Sequence, residues 1–167
     1  MGWTSTGGPE LDWRIRVYNC GGVDNEQAFP VIRQTTLDTT EPRRLAEFYR
    51  QLFGLRYCPG DEPPGPGQPD PKGQDWLILT SPAGGAALAF QKVAELPEAT
   101  WPHGPVPQQM HLDTTVPTVA DLDVQQERAL ALGARLLEDR SDDPEEPLRV
   151  YADPAGHPFC IIAAIAG

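Results

Sequence analysis

The stretch Leu37-Asp38-Thr39-Thr40-Glu41-Pro42 decides the fold, because it returns 75 positions later as Leu112-Asp113-Thr114-Thr115-Val116-Pro117. Each copy follows a short extended segment and precedes a segment with helical periodicity. A second pair of similar stretches, Ser81-Pro82-Ala83-Gly84 and Asp153-Pro154-Ala155-Gly156, precedes an apolar run in each half of the chain. An internal repeat of this length indicates two copies of one supersecondary unit.

Each unit has the order strand, helix, strand, strand, strand. In the first unit the helix is predicted from about Pro42 to Phe53, because its apolar residues recur at helical spacing, and Gly54 ends it. In the second unit Thr118 is the expected N-cap, and Asp121 follows it at capping-box spacing. We therefore predict an α+β protein of two tandem βαβββ modules, residues 31–94 and 109–164, in one combined domain.

The remaining segments lie outside the two modules. Residues 1–30 form an N-terminal extension with one strand-like stretch, Trp13 to Tyr18, and residues 95–108 form a proline-rich linker with Trp101 and His103. Pro59 to Lys72 carries six prolines, a residue type that neither helices nor sheet ladders accommodate well. We expect this segment to be an exposed, mobile insertion that can be shortened with little loss of stability.

The charge and hydropathy of the chain exclude some classes of partner. Among 167 residues, 13 basic and 24 acidic side chains give a net charge of −11, which would repel a nucleic acid backbone. No apolar run is long enough to span a membrane, and no signal peptide is visible. We therefore expect a cytoplasmic location, and we expect that neither nucleic acid nor a membrane is a partner. Cys20, Cys58 and Cys160 are odd in number and widely spaced, which favours three reduced thiols.

Several motifs of this chain, and the order in which they occur, resemble those of the vicinal oxygen chelate superfamily. They are the two βαβββ modules, the Leu45 to Tyr49 segment, His111-Leu112-Asp113 and the closing Asp153-Pro154-Ala155-Gly156-His157-Pro158-Phe159-Cys160. The superfamily includes glyoxalase I, bleomycin-resistance proteins and extradiol dioxygenases. The resemblance implies eight strands that curl into an open cup with the ligand on its concave face, and it implies a homodimer.

Strand alternation predicts which side chains face that cup. Leu37 and Leu112 point toward the helices, so Thr36, Asp38, His111 and Asp113 should point the other way. The same reasoning sends Phe159 and Ile161 of the last strand toward the helices and Cys160 and Ile162 into the cup.

In metal-using members of the superfamily, the first and last strands of the two modules supply four ligands. The resemblance places Thr36, His111 and Cys160 at three of these positions, and the fourth falls on Leu88 or Ala89. Gln91 or Gln34 would take the fourth position if the register shifted. A hard divalent ion prefers carboxylate and imidazole ligands, so the residues favour a protein without a metal, and a divalent metal is the alternative.

His111 is the strongest candidate for a functional residue, either as a ligand contact or as an acid or base. The alternative is a structural role, as a buried histidine whose ring is hydrogen-bonded to Asp113. For Asp38 and Asp113 a structural role is equally favoured, and for Cys160 packing is favoured. Trp76, Trp101 and Tyr151 would form aromatic walls for a flat organic ligand, or ordinary core and a linker clasp. The predicted ligand-binding residues are Thr36, Asp38, Trp76, Gln91, His111, Asp113, Tyr151 and Cys160.

Three functions follow from these residues. The first is a glyoxalase-like protein that binds a small organic molecule in the cup between its modules without a metal. The second is a metal-dependent lyase or dioxygenase, in which the ion acts as a Lewis acid on the substrate oxygens. The third is a metal-free enzyme that uses His111 as acid or base.

Overall fold

A computed structural model describes residues 32–83, 87–101 and 103–164 of the chain. The first module contains β1 (Gln34–Thr39), α1 (Pro42–Phe53), β2 (Arg56–Tyr57), β3 (Trp76–Thr80) and β4 (Ala87–Lys92). The second contains β5 (Leu112–Val116), α2 (Val119–Ala131), β6 (Arg135–Arg140), β7 (Leu148–Ala152) and β8 (Pro158–Ala163). The predicted α+β class with two βαβββ modules is confirmed, and the N-terminal extension with Trp13 to Tyr18 lies outside the described residues.

The helix ends agree with the sequence signals. Gly54 follows α1 with a φ of 65°, a conformation that costs glycine little, and its N–H bonds the carbonyl of Arg50. At the start of α2 the Thr118 side chain accepts from the Asp121 N–H, and the Asp121 carboxylate accepts from the Thr118 N–H. This is the reciprocal capping box that the sequence predicts.

The two modules build two separate four-stranded sheets with the same order. The first sheet runs β1-β4-β3-β2 and the second runs β5-β8-β7-β6, and in both the first and last strands of the module pair in parallel. The register places Asp38 beside Gln91 in the first sheet and Asp113 beside Cys160 in the second. The internal repeat is therefore preserved down to the strand register.

One hydrophobic core joins the two modules through α1. The ring of Tyr49 lies 5.8 Å from that of Phe90 in the first sheet and 6.4 Å from that of Phe159 in the second, measured between centroids. The Tyr49 hydroxyl donates a 2.8 Å hydrogen bond to Asp153, which is buried in the turn before β8. The helix-covered sides of both sheets thus meet in a shared core, and their other sides, which we call the open faces, point away from it.

The insertion between Pro59 and Lys72 is exposed at most of its positions, as expected, but hydrogen bonds anchor it, which argues against the expected mobility. Asp61 is fully buried, and its carboxylate accepts from Lys72 Nζ at 2.9 Å and from the Ile78 N–H at 3.0 Å. Arg43 of α1 donates to the Asp61 carbonyl and pairs with Asp70 at 2.7 Å. The segment holds no strand, yet it is tied to both α1 and β3, because its polar groups replace the hydrogen bonds that prolines remove.

The expectation for the cysteines also needs correction. Cys58 is disulfide-bonded and Cys160 is free, so the prediction of three reduced thiols is wrong for Cys58, and Cys20 lies outside the described residues. His157 keeps 20% of its side chain exposed and contacts Asp153 through Nδ1 at 2.9 Å. Neither described helix is long and apolar enough to cross a membrane.

Candidate functional site

The open faces carry the side chains that strand alternation assigns to them. In β1, Leu37 is buried in the shared core, and Thr36 and Asp38 on either side of it are exposed. In β8, Phe159 and Ile161 join the shared core, whereas Cys160 and Ile162 pack in a second cluster with Leu148 and Val150. His111 and Asp113 are exposed on the same side as Cys160. These side chains therefore face as predicted.

Three side chains that can donate or accept protons or bind a ligand lie close together on the open face of the second sheet. Asp113 and Cys160 are register partners on adjacent strands, and His111 precedes Asp113 by two residues, so all three point to one side. Their ligand atoms, an imidazole nitrogen, a carboxylate oxygen and a sulfur, lie within 4.8 Å of one another. His111 Nε2 lies 3.3 Å from Asp113 Oδ1. We call this group the triplet.

Burial sets the protonation of the sulfur in the triplet. Cys160 is only 6% exposed, and the pKa of its thiol is raised to about 12. Burial is the largest cause, followed by the charge of Asp113 and a hydrogen bond to it, with smaller contributions from Glu146 and Glu138. Near neutral pH the side chain is a thiol that donates toward Asp113, not a thiolate nucleophile.

The linker places an aromatic ring over the triplet. The rings of Trp101 and His111 are nearly parallel, with 9° between planes and 6.2 Å between centroids, and Trp101 also packs on the Leu148, Val150 and Cys160 cluster. The linker turn is closed by Thr100, whose N–H donates to the Val106 carbonyl and whose hydroxyl accepts from the Val106 N–H. These contacts agree with the linker clasp, and the role of Trp101 as an aromatic wall for a ligand stays a prediction.

The first sheet presents a weaker version of the same arrangement. By strand register, Thr36 stands where the second sheet has His111, Asp38 where it has Asp113, and Gln91 where it has Cys160. The placement of the fourth metal position on Leu88 or Ala89 is wrong, and the shifted register with Gln91 is the one observed. The position on Leu88 or Ala89 differs from the observed register by two or three residues.

The aromatic residues that the sequence assigns to the cup separate into two groups. Trp76 lies on the open face of the first sheet, beside Gln91, and packs on Cys58, Ile78 and Ala89. Tyr151 is fully buried in the shared core, with its ring stacked 5.2 Å from that of Phe159. The assignment of Tyr151 to the cup is therefore corrected: its side chain points to the opposite side of the sheet.

The match to known families covers this whole two-sheet region. A family model described as a glyoxalase-like domain matches residues 34–162. The chain belongs to the glyoxalase-like domain family. No curated protein matches this glyoxalase-like chain in sequence at a significant level.

Solved structures share the glyoxalase-like fold at low identity. A glyoxalase/bleomycin resistance protein/dioxygenase family enzyme from Burkholderia phytofirmans has a TM-score of 0.61 and 16% identity, over 81% of this chain and 100% of that one. Lactoylglutathione lyase from Agrobacterium tumefaciens has a TM-score of 0.51 and 20% identity, over 83% and 96%. A fosfomycin resistance protein from Listeria monocytogenes, solved with Mn(II) and 1S,2S-dihydroxypropylphosphonic acid, has 0.57 and 17%, over 82% and 94%. At these identities the likeness establishes the fold alone.

The residues do not fit the hard divalent ion that the superfamily resemblance implies. The four positions hold the hydroxyl of Thr36, the amide of Gln91, the imidazole of His111 and the thiol of Cys160. No carboxylate occupies any of the four, and a hard ion such as Mg²⁺ or Mn²⁺ is held mainly by carboxylate, carbonyl and water oxygens. The two pairs also lie on different open faces, so one chain does not bring them together.

Proposed function

We propose that this glyoxalase-like protein binds a small organic molecule on the open face of its second sheet, without the hard divalent ion of metal-using relatives. The observation that supports the proposal is the stacking of Trp101 on His111, 6.2 Å between ring centroids, beside the Asp113 carboxylate. Apolar walls with a few convergent polar groups are what small-molecule sites provide. The apolar wall here is the cluster of Leu148, Val150 and Cys160.

His111 is the residue that such a ligand would contact. It is at the edge of the apolar cluster, 36% of its side chain is exposed, and Asp113 and Trp101 restrict the orientation of its ring. An imidazole held in this way can donate or accept a hydrogen bond, and it can transfer a proton to a bound molecule. Binding alone and metal-free acid or base catalysis by His111 share this geometry.

A thermal-shift screen of planar organic acids and apolar drugs, run in EDTA, identifies a ligand for the test. His111→Ala should then weaken its affinity by about 0.5–1.5 kcal/mol, roughly 2- to 13-fold, the worth of a neutral hydrogen bond. The fold should persist, since the side chain borders solvent. His103→Ala, which removes an exposed histidine of the neighbouring linker, is the matched control and should change nothing.

Two outcomes contradict the proposal. One is a ligand whose dissociation constant is the same for His111→Ala and the unmodified chain. The other is a ligand that binds only after a divalent metal is added. The second outcome would favour the metal-dependent lyase or dioxygenase, for which the proximity of three ligand atoms in the triplet is the supporting observation.

We further propose that the working form is a homodimer, in which the first sheet of one copy faces the second sheet of the other. The two open faces of one chain point away from the shared core, so Gln91 and Trp76 lie on a different surface from His111. A second copy would complete a cup that combines both sets. Light scattering at low protein concentration tests the dimer, and a monomer mass would contradict it.

A cytoplasmic location stays a prediction from the sequence. The disulfide at Cys58 counts against it, because disulfides persist mainly in oxidising compartments. Trapping thiols with an alkylating agent in intact cells, followed by peptide mapping of Cys58, measures its redox state directly. A modified Cys58 would support the cytoplasm, and an unmodified one would argue for an oxidising environment.

A further inference from the structure

The disulfide-bonded Cys58 lies on the open face of the first sheet. Its side chain packs with Ile78 and Ala89, and its N–H donates to the Ile78 carbonyl at 2.9 Å. In β4, Ala89 and Gln91 point to the side of the sheet opposite to Phe90, which belongs to the shared core. We call Cys58, Ile78 and Ala89 the first-sheet cluster.

The first-sheet cluster is buried although it lies on an open face. Cys58 is 1% exposed, Ile78 is 2% exposed and Ala89 is fully buried. On the same face, Thr36 and Asp38 of the edge strand β1 are exposed. The β2 and β3 side of this face is therefore covered, and the β1 side is open.

The described residues account for part of this cover. Trp76 and Ala87 are the partly buried apolar side chains that pack against the first-sheet cluster within the described ranges. The insertion after β2 is bonded on the helix-covered side, where Arg43 of α1 donates to the Asp61 carbonyl. Its anchoring bonds to α1 thus run away from the open face.

The cysteine count identifies the partner of Cys58. The chain has three cysteines, of which Cys160 is free, so within one chain the partner of Cys58 is Cys20. Cys20 lies twelve residues before Ile32, a length that can span up to about 40 Å. Three strand spacings, about 14 Å in all, separate β1 from β2. The N-terminal extension is therefore long enough to cross the open face from β1 to Cys58.

The sequence beside Cys20 suits an apolar surface. Apolar and basic residues alternate in the strand-like stretch before it, with Trp13, Ile15 and Val17 against Arg14 and Arg16. An extended segment of this pattern has one apolar side and one basic side. Because Val17 is three residues from Cys20, a link at Cys20 would keep Val17 within about 10 Å of Cys58.

We propose that Cys20 is the disulfide partner of Cys58, and that this bond holds the apolar side of the N-terminal extension against the first-sheet cluster. Bond formation joins the two sulfurs, and a disulfide oxidant takes up the two electrons and two protons and becomes two thiols. The extension covers the β2 and β3 side of the face. It leaves Asp38 and Gln91 open to the cup of the homodimer.

Peptide mapping tests the pairing on the unmodified chain. The full chain is equilibrated with oxidised glutathione, its free thiols are blocked with iodoacetamide in denaturant, and it is digested without reductant. Trypsin places the cysteines in three separate peptides, residues 17–33, 57–72 and 150–167. The expected result is a link between the first two peptides, an alkylated Cys160 and a monomer on a non-reducing gel. A link from Cys58 to Cys160, a covalent dimer or an alkylated Cys58 would overturn the pairing.

Hydroxyl-radical footprinting of the folded chain tests the cover. Cys20→Ser removes the link and should raise the oxidation rate of Trp76 at least threefold, because the extension no longer shields its ring. Trp101 packs on the open face of the second sheet and serves as the internal control, with an unchanged rate. An unchanged rate at Trp76 would refute the docking of the extension even if the mapping confirms the link.

A pair of double variants tests which side of the extension faces the sheet. Ile15→Ser with Val17→Ser, in a chain that keeps its cysteines, should also raise the oxidation of Trp76. Arg14→Ser with Arg16→Ser alters the opposite side of the same stretch and should leave that rate unchanged. An equal rise in both double variants would refute the orientation. These measurements contain no organic ligand and concern the first sheet, so their failure would leave the binding proposed for the second sheet intact.

Discussion

Two buried tyrosines differ in what their hydroxyl groups contact. The Tyr49 hydroxyl donates to the buried Asp153 carboxylate, which also accepts from the N–H groups of Ala155 and His157. The Tyr151 hydroxyl is just as buried, but among the described residues it has no hydrogen-bond partner. The same change, tyrosine to phenylalanine, therefore has different expected costs at the two positions.

Tyr49→Phe should lower the free energy of unfolding by about 1–3 kcal/mol, because it takes a donor from a buried carboxylate. Tyr151→Phe should change it by less than about 0.5 kcal/mol, since no hydrogen bond is lost. Urea unfolding of the two variants measures both values, and each serves as the size-matched control for the other. Equal losses would contradict this account of the Asp153 turn.

The two phenols also predict the response to alkaline pH. Burial raises the pKa of Tyr151 from 10.0 to about 12, partly opposed by the charge of Arg149, and raises that of Tyr49 well above its usual value. The folded state thus holds these protons more tightly than the unfolded state. The contribution of Tyr151 to stability is complete below pH 10 and is lost as the pH rises through about 12, and that of Tyr49 is likewise lost only above the usual pKa of a phenol. In Tyr151→Phe this loss should be smaller.

Sequence reasoning succeeded for residues where one side of a strand is polar. Thr36, Asp38, His111 and Asp113 alternate with core residues, so their direction follows from the pleat. Tyr151 was misplaced because β7 is buried on both sides along its whole length, and its one charged residue, Arg149, lies on the same side as Tyr151 and pairs with Asp123 of α2. The Cys58 disulfide was missed for another reason: cysteine spacing alone does not determine pairing.

The insertion after β2 was also only partly predictable from the sequence. Its prolines correctly exclude helix and strand, but the sequence gives no sign that Asp61 is buried. The carboxylate of Asp61 takes the place of a strand partner, since it accepts from the Ile78 N–H, and the cation of Lys72 balances its charge. A segment without regular structure can thus be as fixed as a strand when its polar groups are satisfied.

Asp61→Ala should lower the free energy of unfolding by about 1–3 kcal/mol, because the buried Ile78 N–H loses its acceptor. Asp142→Ala removes an exposed carboxylate from the acidic hairpin and should change stability by less than about 0.5 kcal/mol. Thermal and urea unfolding compare the two variants. If Asp61→Ala is as stable as the control, the insertion is not anchored by this carboxylate.

At the scale of the whole molecule, the packing of the two modules decides where the two half-sites lie. The repeat predicts two similar modules, and the structure has them, but a repeat says nothing about which sides of the sheets meet. Tyr49 between Phe90 and Phe159 shows that the helix-covered sides meet. The half-site with Gln91 and the half-site with His111 consequently lie on separate surfaces of one chain.

If the homodimer builds its cups from the first sheet of one copy and the second sheet of the other, subunit mixing should restore lost sites. Gln91→Ala damages the first-sheet half of every cup, and His111→Ala damages the second-sheet half. In a heterodimer of the two variants, one cup carries both lesions and the other carries neither. Mixed and re-equilibrated variants should therefore regain sites of unmodified affinity, one for each heterodimer.

The ligand found in the screen in EDTA is the probe for this experiment, and titration calorimetry counts the high-affinity sites. Random pairing makes half of the dimers heterodimers, so about a quarter of all cups should recover full affinity, and each variant alone should have none. If the two half-sites instead met within one chain, each cup in the mixture would still carry one lesion. No recovery on mixing, with dimers present by light scattering, would therefore reject the shared cup while leaving the dimer itself intact.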